Sequence, residues 1–198
     1  MIQPYYQDEL ATIYHGDCLA VMDALKPALA GEVGMLLADP PYGIGVLPWD
    51  RPVDWPAFFA AHRGLCRKNA AKVFFCNIPC AAALYGANRK EYRYDLVWDV
   101  VNASGFLNAK RMPMRGHQNV LVFYQALPVY HPQRHIPHRL HAPIVCKSHF
   151  SENYGHIAAE DWKDDGTRYP SSIFSVPGPK NYGDARGNQH PTEKPVAS

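Results

Sequence analysis

An α/β fold built on a mostly parallel sheet and finished by an antiparallel hairpin is what the sequence predicts. Three observations carry it. Apolar runs of strand length, Val33 to Ala38 and Val73 to Cys76, are bounded by Gly, Pro or Asn and suit strands covered on both faces. Phe58, Ala61 and Leu65, between those runs, recur at helical spacing, so strand and helix alternate as in βαβ units. Two later runs, Tyr94 to Val101 and Asn119 to Gln125, follow one another with no helical pattern between them, which turns the chain back as a hairpin.

In chain order, Ala11 to Tyr14 reads as a short strand, and His15-Gly16-Asp17 turns it into a helix. Asp17 is placed to cap that helix, with Leu19, Met22 and Leu25 on one side, and Pro27 and Gly31 end it. Val33 to Ala38 then runs into Asp39-Pro40-Pro41-Tyr42-Gly43. Two prolines lock two φ angles and push the residue before each towards extended geometry, so Asp39 is held rigidly at a strand's carboxyl end. Open α/β sheets place ligands there. A fixed acceptor with an aromatic plate beside it suits a flat base bearing an exocyclic amine. The plain alternative is a Pro-rich turn with a surface Tyr.

Gly43 to Pro52, with Trp49 and Asp50, reads as a mobile loop, and Gly43-Ile44-Gly45 is too short a fragment to be a phosphate loop. Asp54 caps the next helix, Pro56 fits its first turn, and Gly64 weakens its last. Lys72 to Cys76 is a strand, and Pro79 opens an Ala-rich helix to about Arg89. Residues 102 to 118 join the two strands of the hairpin. After Gln125 the texture changes. Pro128, Pro132, Pro137 and Pro143 interrupt a basic, His-rich stretch without a clear period, which suits an inserted recognition segment. Ile173 to Val176 returns the chain to the body. The expected organisation is a core over 1–125, an insertion over 126–172 and a return over 173–198.

A chain of 198 residues can bury one core and carry one appendage. Its five cysteines are scattered and odd in number, which argues for reduced thiols and a cytoplasmic setting. Met1 to Leu10 has no apolar leader, and no run approaches the length of a membrane span. The net charge of +2 hides an asymmetry: from Val100 to Ser151 there is no Asp or Glu. Lys110, Arg111, Arg115, Arg134, Arg139 and Lys147 all fall in that stretch, so a polyanion is the expected partner. A solvated basic loop is the bland alternative. His131, His135, His138, His141, Cys146 and His149 have irregular spacing broken by prolines, so no metal site is expected there. Contact with phosphate or base is the better use of those histidines.

The spaced set Gly16-Asp17-Cys18, Asp39-Pro40-Pro41-Tyr42-Gly43, Trp98, Gly105 to Arg111, His117 and His190-Pro191-Thr192-Glu193-Lys194-Pro195 resembles the amino-methylating DNA methyltransferases. The order is that of their circularly permuted β class, in which the catalytic half precedes the cofactor loop. The resemblance covers nearly the whole chain and implies a Rossmann-like methyltransferase sheet. It implies methyl transfer from S-adenosylmethionine to an exocyclic amine on a base rotated out of double-stranded DNA. By that resemblance Asp39, Pro40, Pro41 and Tyr42 are the catalytic turn. Asp39 and the Pro40 carbonyl would accept the amine hydrogens, and Tyr42 would stack on the base. Asp17, Cys18, Asp39, His190, Thr192 and Lys194 are the expected cofactor contacts. Trp49 and His117 join Lys110, Arg111, Arg115, Arg134, Arg139 and Lys147 as the expected DNA contacts.

Asp in the first position of the motif favours adenine N6 as the target, Ser there being more usual for cytosine N4. Related enzymes with Asn in that position methylate glutamine side chains of proteins. Two departures fall near the hairpin: Val100 stands where relatives often carry Lys, and His117-Gln118 where they carry His-Glu. The Gly-rich cofactor turn that follows the His-Pro-Thr motif in that family is absent from these residues. The chain alone is therefore expected not to methylate DNA, and to be one half of a split enzyme or a DNA-binding remnant if not part of a larger whole. A homodimer or a separate cofactor half is the expected protein partner, covering the edge of the strand before Asp39.

Overall fold

The computed structural model describes residues 2–45, 47–136, 149–153, 155–157 and 165–176. His190, Thr192 and Lys194, together with Arg139 and Lys147, lie outside the described residues. Compact units form over 1–129 with 172–198, and over 130–171.

In the larger unit two strands, β1 (Tyr6–Gln7) and β2 (Thr12–Ile13), pair antiparallel as a small separate hairpin. Helix α1 (Cys18–Leu29) follows, then β3 (Val33–Ala38), α2 (Trp55–Arg63), β4 (Cys66–Cys76), α3 (Ile78–Ala87), β5 (Tyr92–Ser104), β6 (Arg115–Phe123) and, after the smaller unit, β9 (Ile173–Ser175). The main sheet has the order β3-β4-β6-β5-β9. Only β6 runs against its neighbours; β3 lies parallel to β4, and β5 parallel to β9. The mixed α/β sheet with one antiparallel hairpin is thus the predicted class.

Each helix begins at a side chain the sequence singled out for it, or at an Asn it did not. Asp17 Oδ1 accepts from the N–H of Leu19 and of Ala20 at 3.0 Å each. Asp54 accepts from Ala57 N–H at 3.0 Å, and Asn77 from Cys80 N–H at 3.2 Å. Helix α1 does not stop at Pro27 but carries it in the last turn and continues to Leu29. Gly31, at φ 71, then reverses the chain.

One face of the sheet carries the core. Alternate residues Phe74 and Cys76 of β4, with Leu121 and Phe123 of β6, meet Trp55, Phe58 and Phe59 of α2 and Cys80 and Leu84 of α3. Edge-to-face ring contacts link this group, Phe74 to Phe123 at 5.7 Å among them. On the other face Phe75 meets Trp98 at 5.9 Å, and the Trp98 indole donates to Val176 O at 2.9 Å.

Strand β3 corrects one expectation. It is not covered on both faces: Met35 is 55% and Leu37 63% exposed. Among the described residues β3 pairs only with β4, so its other edge is open there, as expected for the strand before Asp39. The β5–β6 hairpin is also longer than the alternation suggested, since β5 continues to Ser104 and β6 begins at Arg115. Between Asp99 and Ser104 the register shifts, and Val101 takes φ 63, a conformation a β-branched residue enters only under constraint. The Asp99 carboxylate supplies that constraint, accepting from Val101 N–H at 2.9 Å.

A charged cluster sits inside the core face at the other end of β4. Lys72 and Glu91 are 2% and 5% exposed, and Lys72 Nζ lies 2.6 Å from Glu91 Oε2. Gln125 donates to Glu91 Oε1 at 2.9 Å. Burial works to raise the Glu91 carboxyl, but the hydrogen bonds and charge of its partners prevail and hold it down at about 2. Nearby, burial pushes the His62 imidazole down to about 4.

In the smaller unit His135 and Arg168 bridge through their backbones, and strands β7 (His149–Ser151) and β8 (Gly155–Ile157) form an antiparallel hairpin. Among the described residues no helix is long and apolar enough to cross a membrane.

Candidate functional site

The carboxyl ends of β3 and β4 and the amino end of antiparallel β6 lie at one end of the sheet, and the Asp39 turn stands there. Asp39 is exposed, while Pro40, Pro41 and Tyr42 are half-buried. The Tyr42 hydroxyl donates to Asp39 Oδ1 at 2.8 Å. Gln118 Oε1, on β6, lies 3.3 Å from the same hydroxyl. Burial raises the Tyr42 phenol, and the Asp39 charge and hydrogen bond raise it further, so it stays protonated and keeps donating. The ring is thereby fixed against the carboxylate, and both are tied to the hairpin.

What fixes the turn is a residue that motif reading left inside a loop. Asp50 is 7% exposed, and its carboxylate accepts from the N–H groups of Gly43 at 2.8 Å, Ile44 at 2.8 Å and Gly45 at 3.1 Å. Burial alone raises an acid, yet these backbone donors, with that of Tyr42, outweigh it and lower the Asp50 carboxyl. Successive N–H groups converging on an anion require left-handed turns, which Gly43 and Gly45 provide at φ 70 and 72. The segment expected to be a mobile loop is therefore stapled to the end of the motif. Two glycines two residues apart, with an Asp downstream, were the available signal.

Gly43 offers a direct check. A Cβ there meets Pro52 at 3.4 Å while the backbone is left-handed. Gly43→Ala is expected to destabilise the protein by about 1–2 kcal/mol, the cost of a left-handed alanine, with denaturant unfolding as the measurement. Gly34→Ala, in open space at negative φ, is the control and should change little.

The other predicted residues fall into groups. The Asp17 carboxylate caps α1, and the Cys18 thiol is raised by burial and by Asp17. Trp49, within the Asp50-stapled loop, is 50% exposed. His117 is exposed on β6 and faces Asp99 across the ladder. Lys110, Arg111 and Arg115 are exposed at and beside the hairpin tip. Arg134, in the smaller unit, is otherwise engaged. It grips Asp165 through two bonds of 2.8 and 3.0 Å and stacks 4.7 Å from the Tyr169 ring centroid. Asp165 lies beyond the acid-free stretch, so the charge of that stretch does not include it. The core thiols are inert: burial pushes Cys76 up to about 12 and Cys80 to about 11. Among the described residues no cluster of His, Cys, Asp or Glu could hold a metal ion.

No protein-family model matches the chain, and no curated protein matches it. Solved structures do. PvuII DNA methyltransferase, described as cytosine-N4-specific, superposes on 98% of this chain and 69% of its own, with a TM-score of 0.57 and 14% identity. The M1.HpyAVI–SAM complex covers 57% of this chain and 55% of its own, at TM-score 0.45 and 19% identity. M1.HpyAVI alone covers 57% and 54%, at 0.40 and 16%. The chain thus spans about half the length of the M1.HpyAVI structures. The overlap with the PvuII enzyme shows the fold of a DNA methyltransferase.

Proposed function

We propose that a chain with this fold is the catalytic and DNA-recognition part of a methyltransferase acting on the N6 amine of adenine in duplex DNA. The single observation that supports it is the Asp39–Tyr42 pair, a fixed carboxylate and an oriented ring at the ligand-binding end of the sheet. S-adenosylmethionine, the proposed cofactor, supplies an electrophilic methyl group on a sulfonium. Exposed carboxylates at Asp17 and Asp39 fit the positive charges of such a molecule. Asp17, Cys18, Asp39, His190, Thr192 and Lys194 are proposed to hold it.

The chain's own residues have three tasks. The Tyr42 ring stacks on the extruded base, a contact worth about 1–3 kcal/mol. The Asp39 carboxylate and the Pro40 carbonyl accept the two amine hydrogens, which turns the nitrogen lone pair towards the methyl group. With the cofactor bound, the amine would acquire positive charge during transfer, and the Asp39 carboxylate would stabilise that charge until the proton passes to solvent. No side-chain nucleophile is needed, so alignment carries much of the rate.

Adenine rather than cytosine rests on Asp in the first motif position. A Gly-rich cofactor turn is absent from these residues, so the reading draws that turn from additional polypeptide. The test is radiolabelled methyl transfer to random-sequence duplex DNA, by the chain alone and with such a polypeptide, followed by nucleoside analysis. Label in N6-methyladenine is expected only with that polypeptide. Label in N4-methylcytosine overturns the choice of base, and label in neither overturns the reading.

A further inference from the structure

The β5–β6 hairpin ends in a feature that neither the catalytic turn nor its ionic contacts use. Phe106 is 79% and Leu107 97% exposed, adjacent in sequence and at the tip. Exposure here does not come from a slack loop. Gly105, at φ 93, turns the chain into a short 3₁₀ helix over Phe106–Asn108. Four backbone bonds hold it: Asn108 to Gly105 at 2.9 Å, Ala109 to Phe106 at 3.0 Å, and Arg111 and Met112 to Asn108 at 2.8 and 3.1 Å. A fold does not gain stability by holding two large apolar side chains in water, so a partner that covers them is the economical explanation.

The surroundings select the partner. Lys110, Arg111 and Arg115 are exposed around the apolar pair, and no acidic residue occurs from Val100 to Ser151. A polyanion with an apolar interior between its charged edges is complementary to that arrangement, and stacked duplex DNA is such a polymer. Position agrees. Gln118, which meets the Tyr42 hydroxyl, and Arg115 are on one strand, three residues and so roughly 10 Å apart. Arg115 marks the base of the tip, so strand β6 joins the tip to the catalytic turn.

We infer that Phe106 and Leu107 form a wedge that enters the base stack and fills the gap left by the extruded base, while Lys110, Arg111 and Arg115 hold the flanking phosphates. Filling the gap offsets the unstacking that extrusion costs. This deepens the proposed function and rests on DNA being the substrate.

A duplex with an abasic site already contains the gap, so its preference over an intact duplex reports the wedge without knowledge of the target sequence. The wild-type protein should bind the abasic duplex more tightly than the intact one. Phe106→Ala/Leu107→Ala should lose about 10-fold of that preference with an unchanged salt slope. Lys110→Ala/Arg111→Ala should weaken both duplexes alike and lower the slope by about two contacts. An apolar-pair variant with unchanged preference overturns the wedge alone. No duplex binding by the wild type overturns the wedge and the DNA substrate together. Binding to anionic phosphatidylserine vesicles instead of DNA, lost in the apolar-pair variant, assigns the tip to a lipid surface and overturns the wedge.

Discussion

With the polypeptide that supplies the cofactor turn present, Asp39→Ala lowers methyl transfer by about 1,000-fold and leaves DNA affinity within about twofold of wild type; that is the largest functional effect expected. On the proposed mechanism the carboxylate acts on charge that develops at the amine during transfer, not on the phosphate backbone, so the loss falls on kcat rather than on binding. Tyr42→Phe separates the two members of the pair. It keeps the ring and removes the hydroxyl that donates to Asp39 at 2.8 Å. A loss of about tenfold is expected, because the carboxylate survives but its orientation is no longer fixed by that bond. Single-turnover transfer, with DNA binding followed in parallel, distinguishes these outcomes. Transfer by Asp39→Ala within tenfold of wild type would contradict the assignment of Asp39.

Lys72→Met produces the largest effect on stability, a loss of about 3–5 kcal/mol by denaturant unfolding. The substitution leaves the Glu91 carboxylate buried without the ammonium that lies 2.6 Å from it. Lys72→Met combined with Glu91→Leu should recover much of that loss, because an apolar pair needs no compensation in the core. Acid acts on the same region with a definite sign. The folded Glu91 carboxyl sits at about 2, below its ordinary 4.5, so its contribution is present above pH 4.5 and disappears as pH falls towards 2. His62 sits at about 4 against an ordinary 6.5, and the unfolded chain binds its proton first. Stability is therefore lost from pH 6.5 down to 4 through His62, and from 4.5 down to 2 through Glu91. His62→Phe should flatten the upper part of that decline.

Much of the fold was legible because its signals are local. Caps at Asp17 and Asp54 and the apolar run of β3 each show in a few consecutive residues. The Asp39 turn was legible for the same reason, since two prolines dictate their own geometry. What sequence reading missed depends on residues far apart in the chain. Gln118 reaches Tyr42 across 76 positions, and Lys72 finds Glu91 only because β4 and the turn before β5 meet at one end of the sheet. The Asp50 staple is closer in sequence, yet its carboxylate is recognised only once Gly43 and Gly45 are seen to be left-handed. The exposure of Met35 and Leu37 could not be read from periodicity, because an apolar strand looks the same at the rim of a sheet as at its centre. Arg134 shows the same limit. Counting charge over a window cannot reveal that Asp165, beyond it, holds the guanidinium.

The central claim is that the Asp39 turn receives a base drawn out of duplex DNA, and fluorescence of 2-aminopurine tests it without any need for cofactor. The analogue replaces adenine across a pool of random-sequence duplexes, and its emission rises when it leaves the stack. A several-fold rise on adding the wild-type protein, absent for Tyr42→Ala at saturating protein, is the predicted result. No rise with the wild type, or an equal rise with Tyr42→Ala, would contradict it.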